Sequence, residues 1–490
     1  METLVVVTHA GDWSLEVPGV RVVTAKSYLS DPEFSRLRRA KVFNLCRHYR
    51  YQTFGYYVSL LAEARGHKAI PTVMTMQDLR SNALVRMASG ELEDVITKNL
   101  AGIPGDRFTL DIYFGQTPSA GRERLAARLF RFFPAPLLRA TFSRNAQWEL
   151  HNVTALSTSA IPDEHNDFAL AAGSAFFARR LRSTERRTPA RYDLAILFDP
   201  SDPIAPSDAR ALEEFVSAAE SMEMSAEIIG PEDSGRLLEF DALFIRTTTA
   251  VNHFTYRFAQ RAAAEGLVVI DDPLSILRCT NKVYLAELLS RHGVSTPRTL
   301  ILGRDDLTRV GAEIGFPCIL KKPDSSSSLG VVMVEDEADL RVQSSQLFAA
   351  SDLLIAQEFM PTSFDWRVGV LNREPLFAAK YFMAKDHWQI IRRDPVSGQV
   401  RYGGGVVLPL EEMPRQGLDL AVQAANLVGD GLYGVDLKQV GDRWVVIEVN
   451  DNPSIDYQVE DGVLGAELYR RVMSVFLRRI EALKNVRAPR

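Results

Sequence analysis

The sequence predicts an α/β protein whose C-terminal part turns to α+β. Three observations carry this expectation. Short apolar runs alternate with amphipathic stretches between Tyr192 and Ile270, the signature of an open sheet with helical crossovers. The chain begins with two more such runs, Leu4–Val7 and Val20–Val23. From Phe316 onward, strand-length runs follow one another with turns between them instead of helices.

A chain of 490 residues is long enough for several domains. We divide it into 1–175, a linker at 176–190, 191–280 and 281–490. Apolar content of 46% and charged content of 24% place it among ordinary globular proteins. A net charge of −5 gives no electrostatic case for nucleic acid or anionic membrane. No window of eighteen uncharged apolar residues marks a transmembrane helix. The opening Met-Glu-Thr-Leu-Val-Val-Val reads as a first strand, its apolar run being too short for a signal peptide. Cys46, Cys279 and Cys318 are far apart and lack metal-ligand spacing, so structural thiols and a reducing cytoplasm are expected.

In the first region, Tyr57, Leu60, Leu61 and Ala64 recur at helical spacing up to Gly66. The run Arg47 to Gln52 before them either faces an anion or an aromatic ligand or forms a packed strand-to-helix junction. Phe108–Gly115 reads as a strand and Leu125–Leu138 as an amphipathic helix packed on the core. The arginine-dense stretch 175–190 reads as a helix end and a solvated linker.

In the second region, strands at Tyr192–Phe198, Ala226–Ile229, Phe240–Arg246 and Leu267–Ile270 alternate with helices at Ala209–Glu223 and Phe254–Gly266. Ligands of such sheets gather at the carboxyl ends of strands, which makes Arg246 a candidate for a carboxylate-bearing substrate. Thr280 is an expected N-cap, Gly293 a helix stop, and Lys282 falls in the first turn. The helix dipole disfavours a cation there, so a phosphate partner would explain it.

The third region opens with a strand to Lys321, a loop holding Ser325, Ser326, Ser327 and Ser328, and a strand to Val334. Hydroxyls and backbone N–H groups suit such a loop to phosphate, although no P-loop motif is present. Leu353–Met360 is a strand; Asp365–Leu371 and Pro375–Phe382 read as two strands around the Asn372-Arg373 turn. Lys380, Arg392, Arg393 and Arg401 make this region rich in cations, the first three being candidate substrate contacts. The GxGxxG at Gly429, Gly431 and Gly434 follows a helix and precedes a strand, the reverse of a dinucleotide fingerprint.

The most informative stretch is Leu432–Ser454, two apolar strands interrupted by Asp436, Glu448 and Asn450. Glu448 and Asn450 share a face because they are two apart. A two-residue turn would set Asp436 opposite Ile447; a three-residue turn, Gly441 to Arg443, would set it opposite Glu448. We expect the three-residue turn. It collects hard oxygen ligands suited to Mg²⁺ that also holds phosphate oxygens and water.

With these residues in view, Asp271 to Arg479 resembles the RimK-type ligases of the ATP-grasp superfamily. The matching pieces are Thr-Asn-Lys282, Phe-Pro-Cys-Ile-Leu-Lys321, Gln-Glu-Phe-Met at 357–360, Asp-Trp-Arg367, Gly-Val-Asp436 and Glu-Val-Asn-Asp-Asn-Pro453. Asn44–Gly66 with Tyr113-Phe-Gly115 resembles the RimK-like ATP-grasp N-terminal domain, and 191–280 a pre-ATP-grasp domain. The resemblance implies an ATP-grasp fold preceded by an open α/β domain and an additional N-terminal α/β domain. It implies that Lys282 and Lys321 hold ATP phosphates under a lid of Ser325–Ser328 and that Glu358, Phe359 and Met360 form the adenine hinge beside Gln357. Asp365 would fix the nucleotide, Arg367 steady the transferred phosphoryl group, and Asp436, Glu448 and Asn450 bind Mg²⁺, with Mn²⁺ as the alternative. Lys322 stands where the family usually has an apolar residue, which leaves open which lysine points inward.

The expected activity is ATP-dependent joining of a carboxylate to an amine through an acyl phosphate, with an amino acid such as glutamate added to a peptide or protein. Its competitors are synthesis of a free small-molecule amide or dipeptide, and a nucleotide-binding partner module without ligase activity. The expected partners are an amino acid and a peptide, protein or small-molecule carboxylate, with no nucleic acid and no membrane, in a homo-oligomer.

Overall fold

The computed structural model describes residues 2–14, 17–37, 40–182, 190–324, 330–385, 387–393 and 400–485. They form a mixed α/β protein of two compact units. One comprises Met1–Ala190, Glu232–Phe240 and Ile480–Arg490; the other comprises Arg191–Pro231 and Asp241–Arg479.

The first unit holds a parallel sheet in the order Val20–Thr24, Glu2–Val7, Ala40–Asn44, Lys68–Ile70. Its strands are apolar on both faces, as parallel strands covered on both sides must be. Val5, Val7 and Phe43 enter one apolar cluster, while Leu4, Val6 and Val42 enter another. The helix Phe54–Ala64 follows the third strand, and Gly66 at φ +70° ends it. A second, antiparallel sheet orders Arg107–Tyr113, Leu137–Arg144 and Trp148–Ala155. The helix expected over 125–138 occupies Glu123–Phe132 instead. Pro134 and Pro136 cannot continue it, and Leu137 already begins a strand. The helix Asn166–Arg182 runs past the expected boundary at 175, and the rest of the expected linker, 183–189, lies outside the described residues.

The second unit begins with a parallel sheet in the order Met224–Ile229, Tyr192–Leu197, Ala242–Ile245, Val268–Ile270. A short helix, Pro273–Thr280, follows, capped by Asp272. Thr280 is therefore the end of one helix and not the cap of the next. Asn281 caps Lys282–Arg291, accepting from the Tyr284 amide at 3.0 Å. Asp272-Pro273 starts the extra turn pair that the sequence reading merged into a lead-in.

Two antiparallel sheets follow. The smaller orders Thr299–Leu302, Leu354–Glu358, Cys318–Lys321 and Val331–Val334. The larger orders Gly405–Leu408, Glu374–Phe382, Phe364–Leu371, Leu432–Val440 and Arg443–Asp451. One face of the larger sheet, with Trp366, Val368, Val435 and Val449, packs on Ala421, Ala424 and Ala425 of the helix Arg415–Val428. The opposite face carries the polar residues of the site.

The hairpin corrects one expectation and reaches its consequence by another route. Val440 pairs with Arg443, so the turn has two residues, Gly441 and Asp442, with Gly441 at φ +59°. That turn alone would pair Asp436 with Ile447. A bulge between Asp436 and Leu437 passes over Ile447 and pairs Asp436 with Glu448. It also resets the alternation of the last strand: Val446 and Val449 both reach the core although they are three apart.

Candidate active site

The site forms where the larger sheet's polar face meets the smaller sheet and the helix Lys282–Arg291. A cavity of about 350 Å³ is lined by Lys282, Thr299, Lys321, Ile355, Gln357 and Glu448, among others. Strand parity places the lining: Lys321 pairs with Ile355 and Ile319 with Gln357, so Lys321 and Gln357 share one face of the smaller sheet. Lys321 is thus the lysine that lines the cavity. Its ammonium donates to Gln357 Oε1 at 2.6 Å, and Gln357 donates to Thr299 Oγ1 at 3.1 Å. Burial, with help from Lys282 and Lys438, pushes the Lys321 ammonium down to about 8.

On the larger sheet Arg367 lies opposite Asp436 and makes a bidentate pair with it, at 2.6 and 2.8 Å. Burial pushes the Asp436 carboxyl up, against the pull of Arg367, and the net shift is upward. Burial acts on Glu448 in the same direction, but the ammonium groups of Lys282 and Lys321 outweigh it and hold Glu448 below the usual range. Lys282 Nζ stands 3.2 Å from Glu448 Oε1. Asn450 donates to Asp436 Oδ2 at 3.2 Å. Two carboxylates and an amide oxygen on one face fit a hard divalent cation that completes its shell with phosphate and water. Among the described residues no group of three or more His, Cys, Asp or Glu is placed to hold a metal ion by itself.

Glu358 ends the strand Leu354–Glu358, and 359–363 link the smaller sheet to the larger one, beginning at Phe364. Glu358 accepts from Arg443 at 3.1 and 3.2 Å and from the Arg298 amide at 3.1 Å. Met360 is buried, and Phe359 packs edge-on against Trp388. Asp365 accepts from Thr362 at 2.9 Å and from Lys438 at 2.5 Å.

Four expected substrate contacts need correction or fall outside the described residues. Arg246 is wholly buried and its donors are bound to Ser207 Oγ, the carbonyls of Pro206 and Pro453, and Asn452 Oδ1. It braces the backbone and offers no free edge to a substrate. Lys380 pairs with Trp366, so it lies on the face opposite Arg367, with its ammonium 4.6 Å from the Trp366 ring centre and 4.8 Å from that of Phe364. Arg392 lies in the strand Ile391–Arg393, paired with Val400–Tyr402, but the side chains of Arg392 and Arg393 are outside the described residues. So are Ser325, Ser326, Ser327 and Ser328.

The sequence reading missed two residues on the cleft face. Lys438 is two positions from Asp436, a period-two signal that was available. Tyr381 lies opposite Asp365, stacks 5.1 Å from the Arg367 guanidinium, and donates to the buried Glu460. No spacing rule points to Glu460.

The architecture and the cleft define an ATP-grasp enzyme, and the comparisons agree. The RimK-like ATPgrasp N-terminal domain matches residues 25–172, and the RimK-like ATP-grasp domain matches 279–465, together about two thirds of the chain. A probable alpha-L-glutamate ligase of Psychromonas ingrahamii is 26% identical over 224 residues, 44% of this chain and 70% of that protein. An alpha-aminoadipate–LysW ligase of Sulfolobus acidocaldarius is 27% identical over 192 residues, 38% of this chain and 66% of that one. A solved RimK domain ATP-grasp protein of Sphaerobacter thermophilus is 18% identical, with a TM-score of 0.44, covering 58% of this chain and 98% of that one. The chain belongs to the RimK-like ATP-grasp family, and it is an ADP-forming carboxylate–amine ligase with a RimK-like N-terminal domain ahead of its ATP-grasp domain. No described helix is long and apolar enough to cross a membrane.

Proposed function

We propose that the enzyme adds an amino acid, with glutamate the first candidate, to a carboxylate of a peptide or protein. The substrate carboxylate attacks the γ-phosphate of ATP, ADP leaves, and the amine displaces phosphate from the acyl phosphate to give an amide. In this reading Lys282 and Lys321 hold the phosphates, the 358–360 link seats adenine, and Arg367 steadies the transferred phosphoryl group. Asp436, Glu448 and Asn450 would hold Mg²⁺ or Mn²⁺, which when bound neutralises phosphate charge. Positioning and charge neutralisation carry such a transfer, and the protein supplies both without a nucleophile of its own. Tyr381 and Glu460 keep the Arg367 guanidinium stacked in place. The buried, unpaired thiols of Cys46, Cys279 and Cys318 accord with a reducing cytoplasm.

One observation supports this reading above the others: Asp436 and Glu448 are cross-strand partners on the face that carries Arg367, and Lys282 reaches Glu448. The test is Glu448→Gln, assayed for ADP release and by mass spectrometry of products with ATP, Mg²⁺ and pools of amino acids and peptides. We expect turnover to fall by at least about a hundredfold with an unchanged melting temperature, the scale of losing a principal transition-state charge contact. Normal turnover in this variant would sink the assignment. Products appearing only on free amino acids would redirect it to dipeptide synthesis.

A further inference from the structure

Two ion pairs of opposite polarity stand side by side on the cleft face of the larger sheet. The strand Phe364–Leu371 presents Asp365 and then Arg367; its neighbour Leu432–Val440 presents Lys438 and Asp436 against them. The Arg367–Asp436 rung is explained by the reading above. The second rung has no role there. Lys438 donates to Asp365 Oδ1 at 2.5 Å and to Thr362 Oγ1 at 2.7 Å, with the two charged side chains only 13% and 15% exposed.

Burying an ion pair brings little net stability, because desolvation offsets the attraction. Here the cation is also set among its own kind. Lys438 lies close enough to Lys321 for its charge to weaken the hold of Lys321 on its proton, as Lys282 does. Four cations, Lys282, Lys321, Arg367 and Lys438, thus gather in one cleft with the carboxylates of Asp365, Asp436, Glu448 and, behind Tyr381, Glu460. Clustered cations of this kind are a setting in which a polyanion can take the place of a carboxylate partner.

The position of Lys438 narrows which part of the polyanion it meets. Arg443, at the turn end of the hairpin, holds Glu358 beside the 358–360 link. Lys438 comes next along the cleft face, and Asp436 follows about 7 Å further on, two residues of extended strand. A nucleotide lying from the link toward Asp436 passes Lys438 before its terminal phosphates.

We propose that Lys438 is a third nucleotide lysine, exchanging Asp365 for the α-phosphate of bound ATP or ADP. The inference rests on the nucleotide-cleft reading, and its test separates the two. Metal-free protein is titrated calorimetrically with ADP, and labelled adenosine is followed by equilibrium dialysis. Wild type binds both. Lys438→Met and Lys438→Gln weaken ADP binding tenfold or more and leave adenosine within twofold, while Lys438→Arg recovers most of the ADP affinity. Equal ADP affinity in wild type and both neutral variants overturns the proposal. So does a matching loss for adenosine, which would make Lys438 a support for the cleft floor through Asp365 and Thr362. Absence of ADP binding in wild type would reject the cleft reading itself, and the Lys438 role with it.

Discussion

The chain contains two four-stranded parallel sheets built to one plan. In each the strands lie in the order second, first, third, fourth. Eleven-residue helices, Phe54–Ala64 and Phe254–Ala264, follow the third strands. Gly66 and Gly266, at φ +70° and +74°, end them. The fourth strands, Lys68–Ile70 and Val268–Ile270, lead to caps at Thr72 and Asp272. The difference lies at the residue after the third strand. Leu45 donates its amide to Val6 in the first sheet, and Arg246 donates its amide to Leu197 in the second, each at 2.8 Å. Leu45 joins an apolar cluster. Arg246 instead ties the strand end to Asn452 and Pro453, just beyond Asn450. One scaffold thus ends in an apolar cluster in one place and serves as an anchor for the segment after Asn450 in the other. A fold sets out positions; single residues decide their use.

The largest expected effect comes from giving the second sheet the first sheet's solution. Arg246→Leu removes every donor to Asn452 Oδ1 and to the carbonyls of Pro206 and Pro453 that the guanidinium supplies. The Pro206 carbonyl keeps the Ile455 amide, but the guanidinium's bonds to Asn452 Oδ1 and the Pro453 carbonyl are lost in a buried setting, which should cost about 3–5 kcal/mol in urea or thermal unfolding. A loss below about 1 kcal/mol would mean that the two edges are equivalent and that the anchor is idle.

A smaller, matched pair tests the shared plan. Gly66→Ala and Gly266→Ala each force an alanine into the left-handed region at corresponding helix ends. Each should cost about 1–2 kcal/mol, and the two losses should agree closely. A large inequality in the two melting shifts would show that the helix ends, like the strand ends, have diverged.

The repeat is legible in the sequence itself. Phe54, Tyr56, Ala62, Ala64, Gly66 and Ile70 recur as Phe254, Tyr256, Ala262, Ala264, Gly266 and Ile270, a spacing far longer than the local periods of helices and strands. Most strands and helices were readable because apolar spacing and glycine stops are local. That Asp436, Glu448 and Asn450 share a face is expected from residue type and period-two spacing, and the cross-strand pairing does bring them together. The bulge at Ile447 was not, because turn length and core parity compete and only packing of Val446 and Val449 settles the outcome. Arg246 was misread because a strand end does not reveal burial. Lys380 was misread because its face follows from pairing with Trp366, a contact between strands.

The smallest expected effect concerns the segment that the second sheet's edge holds. Ser207 donates to the Ile455 carbonyl at 2.8 Å, and the Asp208 amide donates to Asp456 Oδ1 at 2.8 Å. Burial, reinforced by Glu460, pushes the Asp456 carboxyl up to about 6. An unfolded aspartate titrates near 4, so the folded protein binds more protons between about pH 4 and 6. The stability this provides is present below that window and lost as pH rises through it. Unfolding free energies of wild type and Asp456→Asn, measured in urea from about pH 4 to 7, should therefore diverge steadily up to about pH 6, wild type losing ground to the variant, and run parallel above it. Because Asp456 keeps partial contact with solvent, the divergence should be modest. Parallel curves throughout would mean that Asp456 is solvated and that the edge contacts at Ser207 and Asp208 do not hold this segment down, leaving Arg246 as the principal tie between the sheet and the segment after Asn450.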